Sequence, residues 1–157
     1  RGPRPAAPRR PAMRVVAGLG NPWPVPRLSR HNAGVLLVDL LREQLGLEWR
    51  WHWSCLCWLA RSAGDGRDEG DGGGLALVWP AVPYNLAGPA VRRALAELGA
   101  SPGELVVVHD DIDLKRGRSQ VKSSGSAGGN RGVRSVLHIA TGCSPLRGVL
   151  GLIGARA

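Results

Sequence analysis

No stretch of this chain stays apolar for the ~20 residues that a membrane-spanning helix needs, and the longest candidate, residues 148–157, falls far short. The N-terminus also lacks the apolar core of a secretory signal. Cysteine is scarce. Cys55, Cys57 and Cys143 are an odd number without framework spacing, and the Cys55/Cys57 pair has no second pair to complete a zinc site. Buried free thiols in a reducing compartment are expected, cytoplasmic or mitochondrial, in a soluble chain that is not secreted. Acidic residues are absent from both ends: none occurs in residues 1–38 or 114–157. No internal repeat is visible.

What is present is basic charge and a core. The formal net charge is +9, hydrophobic residues make up 43% of the chain, and 157 residues suit one domain. All 12 acidic residues fall between Asp39 and Asp113, leaving basic segments at both ends. One basic face assembled from those ends would suit a phosphate backbone. Residues 1–12 are arginine-rich and carry four prolines, which prevent an amphipathic helix; this segment is expected to be disordered.

Along the chain, Met13 to Gly20 reads as a buried strand and residues 32–45 as a helix stopped by Gly46. "EWRWHWSCLCWLA" alternates as one half-buried strand would, with Cys55 and Cys57 on one face. "GDGRDEGDGGG" makes a hairpin tip and "LALVWP" the returning strand. A helix is expected over residues 86–98, ended by Gly99, and "ELVVVHDD" reads as a central strand. Residues 119–122 form a short strand, 123–130 a Gly/Ser loop, a helix of about ten residues starts at Arg131, and "LRGVLGLIG" supplies a last strand. Alternating strands and helices predict an α/β protein: a single three-layer α/β/α domain with a central mixed sheet.

The chemistry concentrates at strand ends. Gly18-Leu19-Gly20 begins like a dinucleotide fingerprint, but Trp23 occupies the third position and prolines replace the helix whose N-terminus would hold phosphate. The alternative is a polar cluster. Asn21 follows the first strand. His31 precedes a helix that Asn32 is placed to cap. Asn85 opens the next helix, as its N-cap or as a site residue, and His109 and Asp110 end the long apolar strand. His31 with a carboxylate makes an acid–base pair, for which Asp110, Asp111 and Asp113 are all candidates. A metal shared by these three is disfavoured because adjacent strand residues point to different faces.

"GLGNP", "RHNAG", "YNLAG", "VVHDDIDL" and "KSSGSAGGNRGVRS" occur here in the same order as in bacterial-type peptidyl-tRNA hydrolases. Over about residues 13–153 the chain resembles that family, most closely its eukaryotic members. The resemblance implies an esterase that releases peptide from tRNA without a cofactor or metal. It implies His31 as general base and Asp110 as its orienting carboxylate, with Asn21 on the acylated end of the substrate and Asn85 on the peptide backbone. Lys115, Arg116, Arg118, Lys122 and Arg134 would contact tRNA phosphates around the Gly/Ser loop. The partner implied is peptidyl-tRNA, with no membrane, and the protein a monomer.

The chain also departs from the pattern. Trp23 and Pro26 stand where the family has glycine and tyrosine. "GGNRG" replaces "GGHNG", so Arg131 takes the place of a substrate-clamping asparagine and Asn130 falls one position early. Family members continue for several tens of residues past this ending, so residues 13–157 are expected to be a C-terminally incomplete domain with apolar surface near Val149–Ile153. Two alternatives follow: a non-catalytic tRNA-binding relative, and a metal-dependent hydrolase using the Asp110–Asp113 cluster.

Overall fold

The computed structural model describes residues 13–22, 24, 28–62, 73–115, 117–122, 127–140 and 148–152. The expected disorder of residues 1–12 lies outside them, as do Trp23, Pro26, Arg116 and Cys143. Among the described residues, seven strands form one sheet. They are β1 (Arg14–Gly18), β2 (Arg50–His52), β3 (Cys57–Arg61), β4 (Leu75–Pro80), β5 (Leu105–Asp110), β6 (Ser119–Lys122) and β7 (Gly148–Leu152). Their spatial order is β2-β3-β4-β1-β5-β7-β6. β1 runs parallel to β4 and β5, and β5 parallel to β7, while β2, β3 and β6 pair antiparallel with their neighbours. The mixed sheet matches the sequence expectation.

Among the described residues three α-helices cover it: α1 (Ala33–Gln44), α2 (Ala87–Leu98) and α3 (Arg131–Ser135), the last continuing as a π-type turn over Val136–Ala140. One sheet face presents Val15, Ala17, Leu59, Ala76, Val78, Leu105 and Val107 to Ala90, Val91, Ala94, Leu95 and Leu98 of α2 and to Val133 and Val136. All are buried. The single-residue registers Val15↔Ala76 and Val15↔Leu105 keep these side chains on one side. Gly99 takes φ +65° and ends α2 where the sequence places the stop.

Helix α1 packs on the opposite face, and its approach depends on glycine. A Cβ on Gly34 would lie 2.2 Å from the Val108 carbonyl oxygen, and one on Gly18 would lie 2.4 Å from the Gly34 oxygen. Gly18-Leu19-Gly20 therefore lets a helix meet the sheet, backbone to backbone, just where the strand ends.

One element differs from its sequence reading. Residues 49–61 do not make a single strand: β2 and β3 fold back on each other through Trp53–Leu56, with Leu56 at φ +54°. That turn carries none of the glycine, asparagine or proline that would announce it. Alternation looks the same on either side of such a turn, so periodicity reads straight through it. Folding back sets Trp51 opposite Trp58, ring centroids 5.2 Å apart, and brings Trp58 to 6.5 Å from Trp79. Cys55 and Cys57 are both buried free thiols, as expected, though Cys55 lies in the turn. Burial, and next the neighbouring Cys55, push the Cys57 thiol well above its ordinary value.

Candidate active site

Strands β4, β1 and β5 lie side by side with their C-terminal ends together, and the chain crosses β1 in passing from β4 through α2 to β5. Open α/β sheets hold ligands at such reversal points. Short 3-10 turns precede two of the helices there: Arg30–Asn32 before α1 and Tyr84–Leu86 before α2. Each delivers a polar side chain to the end of β5. The apolar run of β5 closes on His109 and Asp110, which are buried yet polar, so their hydrogen-bonding groups need partners nearby.

Asp110 finds them on both carboxylate oxygens. His31 Nδ1 lies 2.9 Å from Oδ2, and the Tyr84 hydroxyl donates to Oδ1 at 2.7 Å. The pair is asymmetric: the His31 side chain is 63% exposed, whereas Asp110 is 5% exposed. An ionised carboxylate only accepts, so Nδ1 carries the proton in the neutral imidazole and Nε2 keeps its lone pair.

Asn130 completes the arrangement. Its Oδ1 accepts from the Val133 N–H at 2.9 Å, capping α3, which fixes the amide with Nδ2 toward the site. Nδ2 then donates to the Tyr84 hydroxyl at 2.9 Å and to the Asp110 carbonyl at 3.1 Å. Both amide hydrogens are thereby used. The 3.2 Å approach to His109 Nδ1 is a close contact, because that nitrogen faces the same Asp110 carbonyl at 2.6 Å and donates to it. Burial, and then the Asp110 charge, push the Tyr84 phenol well above its ordinary value, so Tyr84 acts here as a neutral donor.

Asn21 sits half-buried just beyond β1, and its Oδ1 accepts from the Tyr84 N–H at 3.0 Å. Asn32 does not cap α1 with its side chain. Its Oδ1 instead accepts from the Asn21 N–H at 2.7 Å, a lock that joins the segment after β1 to the turn carrying His31. Gly20 makes room for it, since a Cβ there would fall 2.6 Å from that oxygen. Asn85 is exposed within the turn before α2, and Leu86 occupies the N-cap position, so capping is not its role.

The remaining residues singled out in the sequence lie apart from this network. Arg131 is exposed at the first position of α3, and the amide that enters the site belongs to Asn130. Lys115, Arg118, Lys122 and Arg134 are all exposed, the first three along β6 and its approach. Arg116 lies outside the described residues. Asp111 accepts from the Asp113 N–H at 3.0 Å in a local turn and does not join Asp110. Among the described residues, no three His, Cys, Asp or Glu side chains gather as metal ligands would, and no helix is long and apolar enough to cross a membrane. Tyr84 is not among the residues that the sequence singles out. Its signal was slight: the chain's single tyrosine, in a sequence without phenylalanine, directly before Asn85.

A similar fold is found in solved structures. A peptidyl-tRNA hydrolase from Acinetobacter baumannii superposes with a TM-score of 0.79 at 23% identity, covering 96% of this chain and 73% of that one. Among curated proteins, the peptidyl-tRNA hydrolase of Desulfitobacterium hafniense is 37% identical over 80% of this chain and 63% of its own length. That of Caulobacter vibrioides is 40% identical over 79% of this chain and 59% of its own. The chain thus spans about three fifths of the length of these relatives. The peptidyl-tRNA hydrolase family model matches residues 15–151, from the first strand to the last. A match of that extent makes this chain a member of the peptidyl-tRNA hydrolase family.

Proposed function

We propose that this protein hydrolyses the ester joining a peptide or N-blocked amino acid to tRNA, with a water activated by His31. The observation that carries this reading is the His31–Asp110 pair: an exposed imidazole whose inner nitrogen is held by a buried carboxylate. Nε2 takes a proton from water as the water attacks the ester carbonyl. The imidazolium then returns that proton to the departing ribose oxygen. Asp110 keeps the tautomer and stabilises the imidazolium between the two steps.

Asn21 spends its oxygen on Tyr84, which leaves its Nδ2 donor for the acylated end of the substrate. Asn85, exposed one residue after Tyr84, offers both a donor and an acceptor to a peptide backbone. Arg131 and the exposed Lys115, Arg118, Lys122 and Arg134 supply charge for phosphates, with Arg116 added from the sequence. Contacts of that kind position tRNA without reading its bases, as one enzyme serving many tRNAs requires. The unpaired thiols Cys55 and Cys57 suit a reducing compartment, cytosolic or mitochondrial.

The experiment is incubation of the purified protein with N-acetyl-aminoacyl-tRNA and quantification of the released N-acetyl amino acid. Release well above the uncatalysed rate, unaffected by a chelator, is expected. Loss of release with chelator would return the metal-dependent alternative. Salt-sensitive tRNA binding with no release would identify a non-catalytic binding relative.

A further inference from the structure

Tyr84 is the one member of the Asp110 network whose hydroxyl touches both the carboxylate and a side chain from a third element. It donates to Asp110 Oδ1 at 2.7 Å and accepts from Asn130 Nδ2 at 2.9 Å, while its own N–H is held by Asn21 at 3.0 Å. Its ring has a dedicated seat. A Cβ on Gly132 would come within 2.3 Å of the ring, so α3 passes Tyr84 at a position where only glycine fits. The groups facing Asp110 are therefore His31 from the turn before α1, Tyr84 from the turn before α2, Asn130 from the head of α3, and His109 beside it on β5. Of these, only Tyr84 and His31 bond the carboxylate oxygens among the described residues.

We infer that Tyr84 is a positioning residue for the hydrolytic reaction: its hydroxyl fixes the Asp110 carboxylate so that Oδ2 faces His31 and shares its negative charge. The activity consequence rests on the hydrolase reading above; the consequence for His31 does not. A carboxylate that also accepts from a phenol holds less charge for the imidazolium. Removing the hydroxyl concentrates charge on the carboxylate that faces His31, favours protonated His31, and lets Oδ2, still paired with Nδ1, settle off the orientation that water activation needs.

The test compares wild type with Tyr84→Phe, which keeps the ring against Gly132, and with Tyr84→Met, which keeps apolar bulk should the first variant fold poorly. His31 titration is followed by NMR in the free protein, alongside turnover of N-acetyl-aminoacyl-tRNA across pH. In both variants the His31 midpoint is expected to move to higher pH. The acid limb of kcat/KM is expected to rise with it, and kcat to fall about tenfold with KM little changed. An unmoved His31 titration in a folded variant overturns the inference. So does a loss confined to KM or to thermal stability. If the wild type shows no turnover, the hydrolase reading fails separately, and the titration alone decides whether Tyr84 governs His31.

Discussion

Each carboxylate oxygen of Asp110 is committed to a different partner, and the two bonds act differently on His31. The Oδ2 bond fixes which imidazole nitrogen carries the proton; the Oδ1 bond from Tyr84 fixes where Oδ2 points. Asp110→Asn keeps the shape and removes the charge, and its amide can donate to Nδ1, moving the proton to Nε2, the nitrogen that accepts one in the proposed mechanism. The expected result is a fall in kcat of about 10²- to 10⁴-fold, with tRNA binding retained, measured by steady-state turnover beside a filter-binding isotherm. At this scale the places of His31 and Asn21 are legible because each adjoins an element whose end is clear, whereas the residues alone leave Asp110, Asp111 and Asp113 open and the fold pairs His31 with Asp110. Tyr84 is not legible, because a tyrosine flanking a loop asparagine carries no sequence mark of what its hydroxyl meets. In the sequence Asn130 reads only as a displaced neighbour of Arg131. Its place in the site follows from its capping bond to Val133, a matter of where α3 starts.

The elements that deliver these residues hold together through close approach as much as through apolar burial. Gly34→Ala would force a methyl group against two backbone groups, the Val108 oxygen at 2.2 Å and the Leu19 nitrogen at 2.6 Å. Neither can swing away, so a loss of about 3 kcal/mol is expected. Gly46 has φ +63° and nothing within 4 Å; Gly46→Ala should cost only about 1 kcal/mol, the left-handed backbone penalty. Thermal or denaturant unfolding of the two variants side by side checks the contrast.

On the far side of the sheet, Glu97 of α2 accepts from Ser54 and pairs with His52, tying the unforeseen turn to the helix. The Ser54 bond first, and then His52, lower the Glu97 carboxyl below its ordinary 4.5. A carboxyl depressed in the folded state stabilises above its unfolded value, and that contribution fades as pH falls through the lower folded value. Glu97 is exposed, so the effect is small, under about 1 kcal/mol. Melting of Glu97→Gln should differ slightly from wild type at neutrality and converge with it on the acid side of pH 4.5. The helices and parallel strands were plain in the sequence, since period and stop signals agree there. The β2–β3 turn was hidden by its residues, and the placing of β7 between β5 and β6 depends on pairings remote in sequence.

Across the whole molecule, the acidic residues occupy the middle of the chain, and its two ends carry basic residues without acidic ones. The exposed Lys115, Arg118 and Lys122 lie along the β6 edge, away from β2 and β3 at the opposite edge. If these contact phosphates, log affinity for tRNA falls linearly with log salt, and Arg118→Ala or Lys122→Ala each reduces that slope by about one. The His31 network should be indifferent to both changes, so cleavage of bound substrate stays constant while binding weakens. Fold, family and charge together make the protein a scaffold that presents one imidazole at the end of a sheet. The most direct test is single-turnover cleavage of saturating N-acetyl-aminoacyl-tRNA by wild type and by His31→Ala. The account predicts that the variant binds tRNA within about twofold of wild type and cleaves at least ~10²-fold more slowly. Cleavage by His31→Ala at the wild-type rate would contradict it.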